Sequence, residues 1–177
     1  INMEKQEAYQ IVEKCVRNKF EFLIQKGYTL SCVDYKYDYR LSRPEGEKRK
    51  EDLLIIYKNE SIDRLVEVWY LFEDANFEPY NFISIRIEKS DDSLYLDKYL
   101  LKIEKERLGI TDPEESIKLH EEVIDKKFLL DYYEGESMEE KVNKFLDFVI
   151  GLFETDLKGV IEGKEWIHIP FDWYKIK

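Results

Sequence analysis

The stretch from residue 53 to residue 72 constrains the fold of this chain more than any other. A short apolar run at 53–57 is followed by a polar turn at 58–61, in which Asn59 tolerates the left-handed backbone that tight turns need. The chain then returns through 62–72 in a two-residue alternation. The stretch therefore predicts a β-hairpin.

Both faces of the returning strand are largely apolar. One face is expected to carry Ile62, Arg64, Val66, Val68, Tyr70 and Phe72, and the other Leu65, Glu67, Trp69 and Leu71. Such a strand is typical of the centre of a sheet, where it is covered at least partly on both sides. We therefore place the hairpin in the middle of an antiparallel sheet.

Two further segments complete the predicted sheet. In the segment 28–41 every second residue from 33 onwards is apolar, which indicates one buried and one solvent-exposed face. Residues 82–88 alternate in the same way, and the polar stretch 42–51 is predicted to be a mobile loop. Four strands in a meander are the economical topology.

Helical spacing marks the N-terminal part of the chain and the region after the sheet. Residues 5–26 form an amphipathic pattern that Gly27 can end, and residues 96–108 carry an apolar stripe. A third helix is expected from Pro113 to about residue 131, because Pro favours the first helical position and acidic residues follow it.

The last predicted helix begins with a capping box. Ser137 and Glu140 have the spacing at which the side chain of each can satisfy a backbone N–H at a helix start. The apolar stripe that follows is the most regular in the chain, and Gly159 is expected to end the helix.

These elements predict an α+β fold with an antiparallel sheet of about four strands, an N-terminal helix and a C-terminal helical half packed on the sheet. At 177 residues, the whole chain (1–177) is expected to form a single domain. The tail 166–174 is rich in large apolar side chains, each of which loses about 1.5–3 kcal/mol if it stays exposed. We expect this tail to dock as an edge strand or a clasp.

Net charge limits the classes of partner. The chain carries a formal net charge of −11, whereas nucleic-acid binding draws most of its affinity from Lys and Arg that neutralise phosphates. Binding to an anionic membrane is disfavoured for the same reason. A basic protein partner is the charged partner that fits best.

Cysteine content and hydropathy predict a cytoplasmic protein. Cys15 and Cys32 lie in apolar patterns and are too few for a disulfide scaffold, which favours a reducing compartment. The first residues have no apolar run typical of a signal peptide. The most apolar window of helix length, 142–161, is interrupted by charged residues, so no transmembrane span is predicted.

Catalytic motifs are missing from the sequence. It has no phosphate-binding loop, nucleophile elbow, zinc-protease motif or Cys-x-x-Cys. His120 and His168 are isolated in the sequence, and structural zinc requires several Cys or His ligands, so neither a metal nor a cofactor is predicted. Paired carboxylates occur mostly at predicted helix starts, where the helix dipole explains them. The sequence leaves enzymatic activity open and favours its absence.

Aromatic residues provide the binding candidates. Tyrosine is common on strands as a core residue with a solvated hydroxyl, and this interpretation accounts for most of them. The alternative is a sheet face or rim used for binding, where Tyr and Trp contribute disproportionate energy. The candidate binding residues are Tyr35, Tyr37, Tyr39, Trp69 and Trp173.

The order of elements resembles that of a known group of proteins. The segment 22–30 closes a first helix and enters a tyrosine-rich strand, residues 57–59 enter a hairpin turn, and the chain ends in Trp166 and the run 169–173. This build resembles small, mostly uncharacterised bacterial α+β proteins, some of which are immunity proteins of polymorphic toxins. The resemblance implies a cytoplasmic bacterial protein that acts by binding, with an acidity suited to masking a basic toxin domain.

The leading functional hypothesis is a non-enzymatic, immunity-like binding protein with a basic protein partner. A second hypothesis is an enzyme or small-ligand protein with a pocket between sheet and helices, which a deep pocket with converging polar groups would favour. A shallow aromatic and acidic face would favour the binding protein instead. A self-associating structural protein is the third possibility.

Overall fold

The computed structural model describes residues 4–40, 42, 44–75 and 78–170, with the side chains of 73–75 and 78–80 left out. This part of the chain forms an α+β fold with one open antiparallel sheet. Its strands are β1 (Thr29–Tyr37), β2 (Asp52–Asn59), β3 (Arg64–Ala75), β4 (Glu78–Lys89) and β5 (Asp92–Tyr95), and they neighbour one another in sequence order.

The predicted meander is thus confirmed and extended by one strand. β3 lies at the centre of the sheet, as its apolar pattern predicted. β5 was not predicted, because Asp92 and Ser93 in a strand of four residues give no apolar alternation. It pairs with the end of β4 through Arg86 opposite Tyr95 and Lys89 opposite Asp92.

Along the sequence, the helices precede and follow the strands of the sheet. They are α1 (Lys5–Lys19), α2 (Glu21–Gln25), α3 (Leu96–Leu108), α4 (Pro113–Leu119), α5 (Met138–Glu154) and α6 (Lys158–Ile161). Between α4 and α5 the chain forms a π-helical turn (His120–Ile124) and two 3₁₀ turns (Asp125–Phe128 and Leu130–Tyr132). Within the described part of the chain, no helix is long and apolar enough to cross a membrane.

Three predicted helices differ from the observed ones in length. The first breaks at Phe20, whose fully buried ring packs 5.4 Å from Tyr57 and so separates α1 from α2. The third stops being α-helical at Leu119, where the π-helical turn begins. The last ends at Glu154, and Gly159 lies inside α6.

Two predicted helix starts are confirmed. Asp112 accepts a hydrogen bond from the backbone N–H of Glu115, and Pro113 is the first residue of α4. Ser137 accepts one from the N–H of Glu140 at the start of α5. A side-chain acceptor of this kind contributes about 1 kcal/mol of helix stability.

The turn of the central hairpin differs from the prediction. β2 and β3 are joined by a 3₁₀ turn at Glu60–Ile62, and the left-handed residue is Asp63, with φ of 54°. Asn59, at φ of −127°, is extended and ends β2. The Asp63 carboxylate accepts hydrogen bonds from the backbone N–H and the hydroxyl of Ser90, which hold this strained turn in place.

One face of the sheet carries the hydrophobic core. Val66, Val68 and Tyr70 of β3 are fully buried on this face. Tyr9 of α1 packs edge-on against Tyr70, with ring centroids 5.5 Å apart, and its hydroxyl donates to the carbonyl of Glu51. The helices contribute their own buried residues to the same core.

The opposite face is the one we term the open face, defined by Leu54, Glu67 and Trp69. Register places these three together, because Trp69 lies opposite Leu54 and Glu67 lies opposite Arg86. Ile56 and Leu65 on this face lie outside the main core and keep part of their surface exposed. Helices therefore cover β3 on one face only among the described residues. Leu54 and Glu67 are nevertheless buried on the open face, in keeping with the predicted cover at least partly on both sides.

The start of the C-terminal tail docks on the domain as a clasp rather than a strand. Trp166 donates its indole N–H to the carboxylate of Asp92 at 2.8 Å, and Ile169 is buried against the core. Arg64, at the start of β3, donates to the carbonyls of Val160 and Glu165. Residues 171–177 lie outside the described part of the chain.

Candidate functional site

Three of the five predicted binding residues meet on the open face. The Trp69 ring lies 6.5 Å from that of Tyr37 and 5.4 Å from that of Tyr39, measured between centroids. The indole N–H of Trp69 donates to the carboxylate of Asp52 at 3.0 Å. Since Asp52 begins β2 and Trp69 lies on β3, this hydrogen bond fixes the ring orientation against the sheet.

Tyr35 lies on the other side of the sheet, contrary to the prediction that groups it with Tyr37 and Tyr39. Asp34 pairs with Leu54 and Tyr37 pairs with Asp52, so β1 contains one extra residue between these pairs. Such a β-bulge reverses the side on which the following residues lie.

On the core side, Tyr35 forms specific contacts with α1. Its hydroxyl donates to the carboxylate of Glu13 at 2.7 Å, and its ring packs edge-on against Tyr9 at 5.7 Å. Burial, followed by the bond to Glu13, raises the pKa of Tyr35 to about 12. Tyr35 therefore has a structural role. Trp173 lies outside the described residues.

The aromatic residues line a pocket of about 250 Å³ that we term the aromatic pocket. Its lining residues are Tyr37, Tyr39, Leu54, Glu67, Trp69, Ser84, Arg86 and Tyr95. The pocket lies over β1 to β5 on the open face and is open to solvent. It does not lie between sheet and helices, where the enzyme hypothesis expected a pocket.

Sequence reasoning missed the polar members of this pocket. Glu67 and Arg86 form a close ion pair across β3 and β4, where the pairing register sets them opposite each other. Arg86 also donates to the hydroxyl of Tyr95 at 3.1 Å and lies 3.1 Å from a carboxylate oxygen of Glu88. The available signal in the sequence was the opposite charge of Glu67 and Arg86, which occupy matching positions of two adjacent alternating segments.

Burial dominates the electrostatics of Glu67. The side chain is 10% exposed, and burial raises its pKa although the guanidinium of Arg86 opposes the shift. Because the Arg86 guanidinium pairs with this carboxylate, the two side chains together bring no net charge to the base of the pocket, directly beside the aromatic rings. The Arg86 guanidinium stacks on Tyr95, 5.5 Å from the ring centroid.

The rim of the pocket is accessible. Tyr39 is 48% exposed, and the ammonium group of Lys50 lies 5.1 Å from its ring centroid. Register places further carboxylates of the strands on the open face, at Asp34 and Glu88, while Lys58 adds a cation at its far end.

A second, larger depression of about 850 Å³ lies where the β2–β3 and β4–β5 turns meet. Its charged groups are largely paired with one another: Lys58 lies 2.8 Å from Glu60, and Lys89 lies 3.2 Å from Asp91. Among the described residues its lining contains no aromatic side chain, so the depression lacks the ring faces that the aromatic pocket offers.

The cysteines offer no reactive thiolate. Burial raises the pKa of Cys15 to about 11 and also raises that of Cys32. Nearby acidic residues, Glu139 for Cys15 and Asp34 for Cys32, act in the same direction.

Known proteins give no guide to the role of the aromatic pocket. Comparison of the chain with protein-family models, with curated proteins and with solved structures finds no match. The geometry of the pocket residues is the remaining indication of what the pocket binds.

Proposed function

We propose that this chain is a non-enzymatic binding protein that captures a basic segment of another protein on its open face. The observation that supports this is the aromatic pocket, in which rings from β1, β3 and β5 surround the buried carboxylate of Glu67. Aromatic faces attract cations, and the net charge of −11 adds to that attraction over distance. A Lys or Arg side chain of a partner is the chemistry that this arrangement favours.

The contact between Lys50 and Tyr39 illustrates the mode of binding. The Lys50 ammonium already lies over the exposed ring of Tyr39. A partner cation would bind the same ring from the solvent side, while Asp52 keeps the Trp69 ring fixed beside it. A pre-oriented aromatic anchor reduces the entropy lost on binding.

Size favours a protein partner over a small ligand. Pockets for drug-sized ligands span about 300–1,000 Å³ and bury most of the ligand. The aromatic pocket, of about 250 Å³, is smaller and open to solvent. It suits one side chain of a larger partner, with the surrounding strands providing the rest of the contact.

Net charge and the family resemblance extend the proposal. At −11, the chain attracts basic partners over distance and repels acidic ones. An acidic, aromatic surface of this kind would suit an immunity-like protein that masks a basic toxin domain. We therefore propose an immunity-like role in the cytoplasm.

Peptide binding tests the proposal directly. Lys- and Arg-rich peptides should bind with a Kd in the micromolar to millimolar range, and raising the salt concentration should weaken their binding. Glu-rich peptides of equal length should not bind. Tyr39→Ala should weaken binding about tenfold or more, measured by fluorescence anisotropy of labelled peptides.

Tyr132 provides the matched control. It is 55% exposed in the helical half of the chain, next to Tyr133, so Tyr132→Ala removes an exposed tyrosine of the same kind away from the open face. Equal losses in both variants, equal binding of acidic peptides, or binding insensitive to salt would each contradict the proposal. Capture of host proteins by wild type and Tyr132→Ala, but not by Tyr39→Ala, would then identify the partner.

A further inference from the structure

Three potential metal ligands converge outside the aromatic pocket. The Nε2 atom of His120 lies 2.9 Å from a carboxylate oxygen of Asp97 and 3.3 Å from one of Asp125. One ligand atom from each of the three residues lies within 4.8 Å of the other two. Asp97 belongs to α3, whereas His120 and Asp125 bracket the π-helical turn.

The π-helical turn brings His120 and Asp125 together. In an α-helix, residues five apart point about 140° away from each other. Here the backbone N–H of Asp125 donates to the carbonyl of His120, which is the i to i+5 bond of a π-helix and places the two residues on adjacent turns of the same side. Such single π turns are frequent at functional sites.

Both sides of the cluster are firmly anchored. Asp97 lies in the first turn of α3, between Leu96 and Tyr99, which are both buried in the core. Within the π turn, Ile124 is 1% exposed, directly before Asp125. The ligand groups are therefore held from two independently packed elements rather than from a loose loop.

The ligand set suits a divalent first-row transition ion. One imidazole nitrogen with two carboxylate oxygens is a mixed donor set that Zn²⁺ or Mn²⁺ accepts, and the two carboxylates neutralise a charge of +2. Tetrahedral ligands at about 2.1 Å from zinc stand about 3.4 Å from one another. The two measured distances from His120 Nε2 are within about half an ångström of that spacing.

The cluster is also accessible from solvent. The side chains of His120 and Asp97 are 14% and 18% exposed, and that of Asp125 is 37% exposed. The first two are shielded enough to exclude much of the bulk water, while Asp125 leaves a route for an ion.

We propose that Asp97, His120 and Asp125 bind one divalent transition-metal ion, with remaining coordination positions open to water or an exogenous ligand. Three protein ligands with open positions are the arrangement of catalytic rather than structural zinc sites. This site is separate from the open face, so it does not depend on the binding proposal.

Calorimetric titration with Zn²⁺ tests the stoichiometry of metal binding. The full chain is first freed of metals with a chelator. We expect one saturable site per chain, with Mg²⁺ and Ca²⁺ at least tenfold weaker because imidazole is a poor ligand for hard cations. Asp125→Asn, at the most exposed ligand, should weaken Zn²⁺ at least tenfold while the melting temperature stays close to that of wild type.

The second histidine gives the matched control. The chain has two histidines, and His168 is not part of the cluster, since its Nδ1 atom lies 2.7 Å from a carboxylate oxygen of Asp92. His168→Ala should therefore retain the Zn²⁺ site, whereas His120→Ala should lose it. Unchanged Zn²⁺ affinity in both Asp125→Asn and His120→Ala, or no saturable binding to wild type, would overturn the proposal and leave a hydrogen-bonded His–Asp cluster.

A measurement on the wild-type protein avoids any doubt about folding of the variants. Substoichiometric Mn²⁺ should broaden the ring signals of His120 in a ¹H–¹³C spectrum more strongly than those of His168. Broadening of both histidines alike, or of His168 alone, would contradict the assigned site.

Discussion

At the scale of a single residue, Val68 shows which face of β3 is turned towards the core. It is fully buried on the core face, opposite Ile55 on β2 and Ile85 on β4. Val68→Asp places an unpaired carboxylate there and should lower the free energy of unfolding by about 3 kcal/mol or more. Urea denaturation measures the change.

Ile56 is the control for that substitution. It is partly exposed on the open face, opposite Glu67, so Ile56→Lys puts a cation beside a carboxylate and should cost about 1 kcal/mol or less. Similar losses in the two variants would mean that the two faces of β3 are buried alike.

At the scale of elements, Asp38 organises the connection between β1 and β2. Its carboxylate accepts hydrogen bonds from the backbone N–H groups of Arg40 and Lys50 and also pairs with the Arg40 guanidinium. Arg40 in turn donates to the carbonyl of Lys48 and to the carboxylate of Glu47. Hydrogen bonds thus order the described part of a segment whose polar sequence predicts a mobile loop.

The Asp38 carboxylate should titrate well below an ordinary one. The bonds to Arg40 hold its pKa far below the usual 3.8. Because the folded-state pKa is the lower one, the interaction stabilises the fold above pH 3.8 and is lost as the pH falls further. The amide signal of Lys50 should follow this titration in NMR spectra, and Asp38→Asn should abolish the titration.

Asp34, within β1, serves as the comparison for Asp38. Its carboxylate accepts from the N–H of Lys36 alone among the described hydrogen bonds, so Asp34→Asn should leave the Lys50 signal unchanged. A Lys50 amide that titrates at an ordinary carboxyl pKa in wild type would show that Asp38 does not hold this connection.

How far the sequence predicts the structure depends on periodicity. Alternation is strong in β3 and β4, β2 is a short apolar run, and helical spacing is strong in α1 and α5, so these elements were found. The extra residue in β1 leaves the Tyr35, Tyr37 and Tyr39 pattern looking regular, although the bulge moves Tyr37 and Tyr39 to the open face and leaves Tyr35 on the core side. A bulge depends on pairing with β2, which local sequence does not encode.

The candidate sites were predicted only in part for the same reason. Tyr37, Tyr39 and Trp69 were identified by residue type, whereas Glu67 and Arg86 required the register between β3 and β4. The cluster at His120 depends on a π turn and on the packing of α3, so no spacing in the sequence reveals it.

At the scale of the whole molecule, Trp166 ties the C-terminal segment to the sheet. Its ring receives cations from Arg64 at 5.0 Å and Lys89 at 5.4 Å, and its N–H bonds to Asp92. Trp166→Ala should lower the free energy of unfolding by about 2 kcal/mol, less than for a fully buried Trp. Trp166→Phe keeps a ring and should cost about 1 kcal/mol, mainly for the lost hydrogen bond.

Chemical denaturation of both variants checks this clasp. A loss below about 0.5 kcal/mol for Trp166→Ala would mean that the segment contributes little to the fold. A larger loss in Trp166→Phe than in Trp166→Ala would contradict the role of the ring.

The C-terminal part of the chain also contacts a residue that the ribosome synthesises much earlier. The buried hydroxyl of Tyr28 donates to the carbonyl of Ile161, 133 residues later in the sequence. At a synthesis rate of about 5–20 residues per second, Tyr28 precedes its acceptor by about 7–27 s. Tyr28 and the strand β1 that follows it are therefore synthesised well before the carbonyl that accepts this buried hydrogen bond.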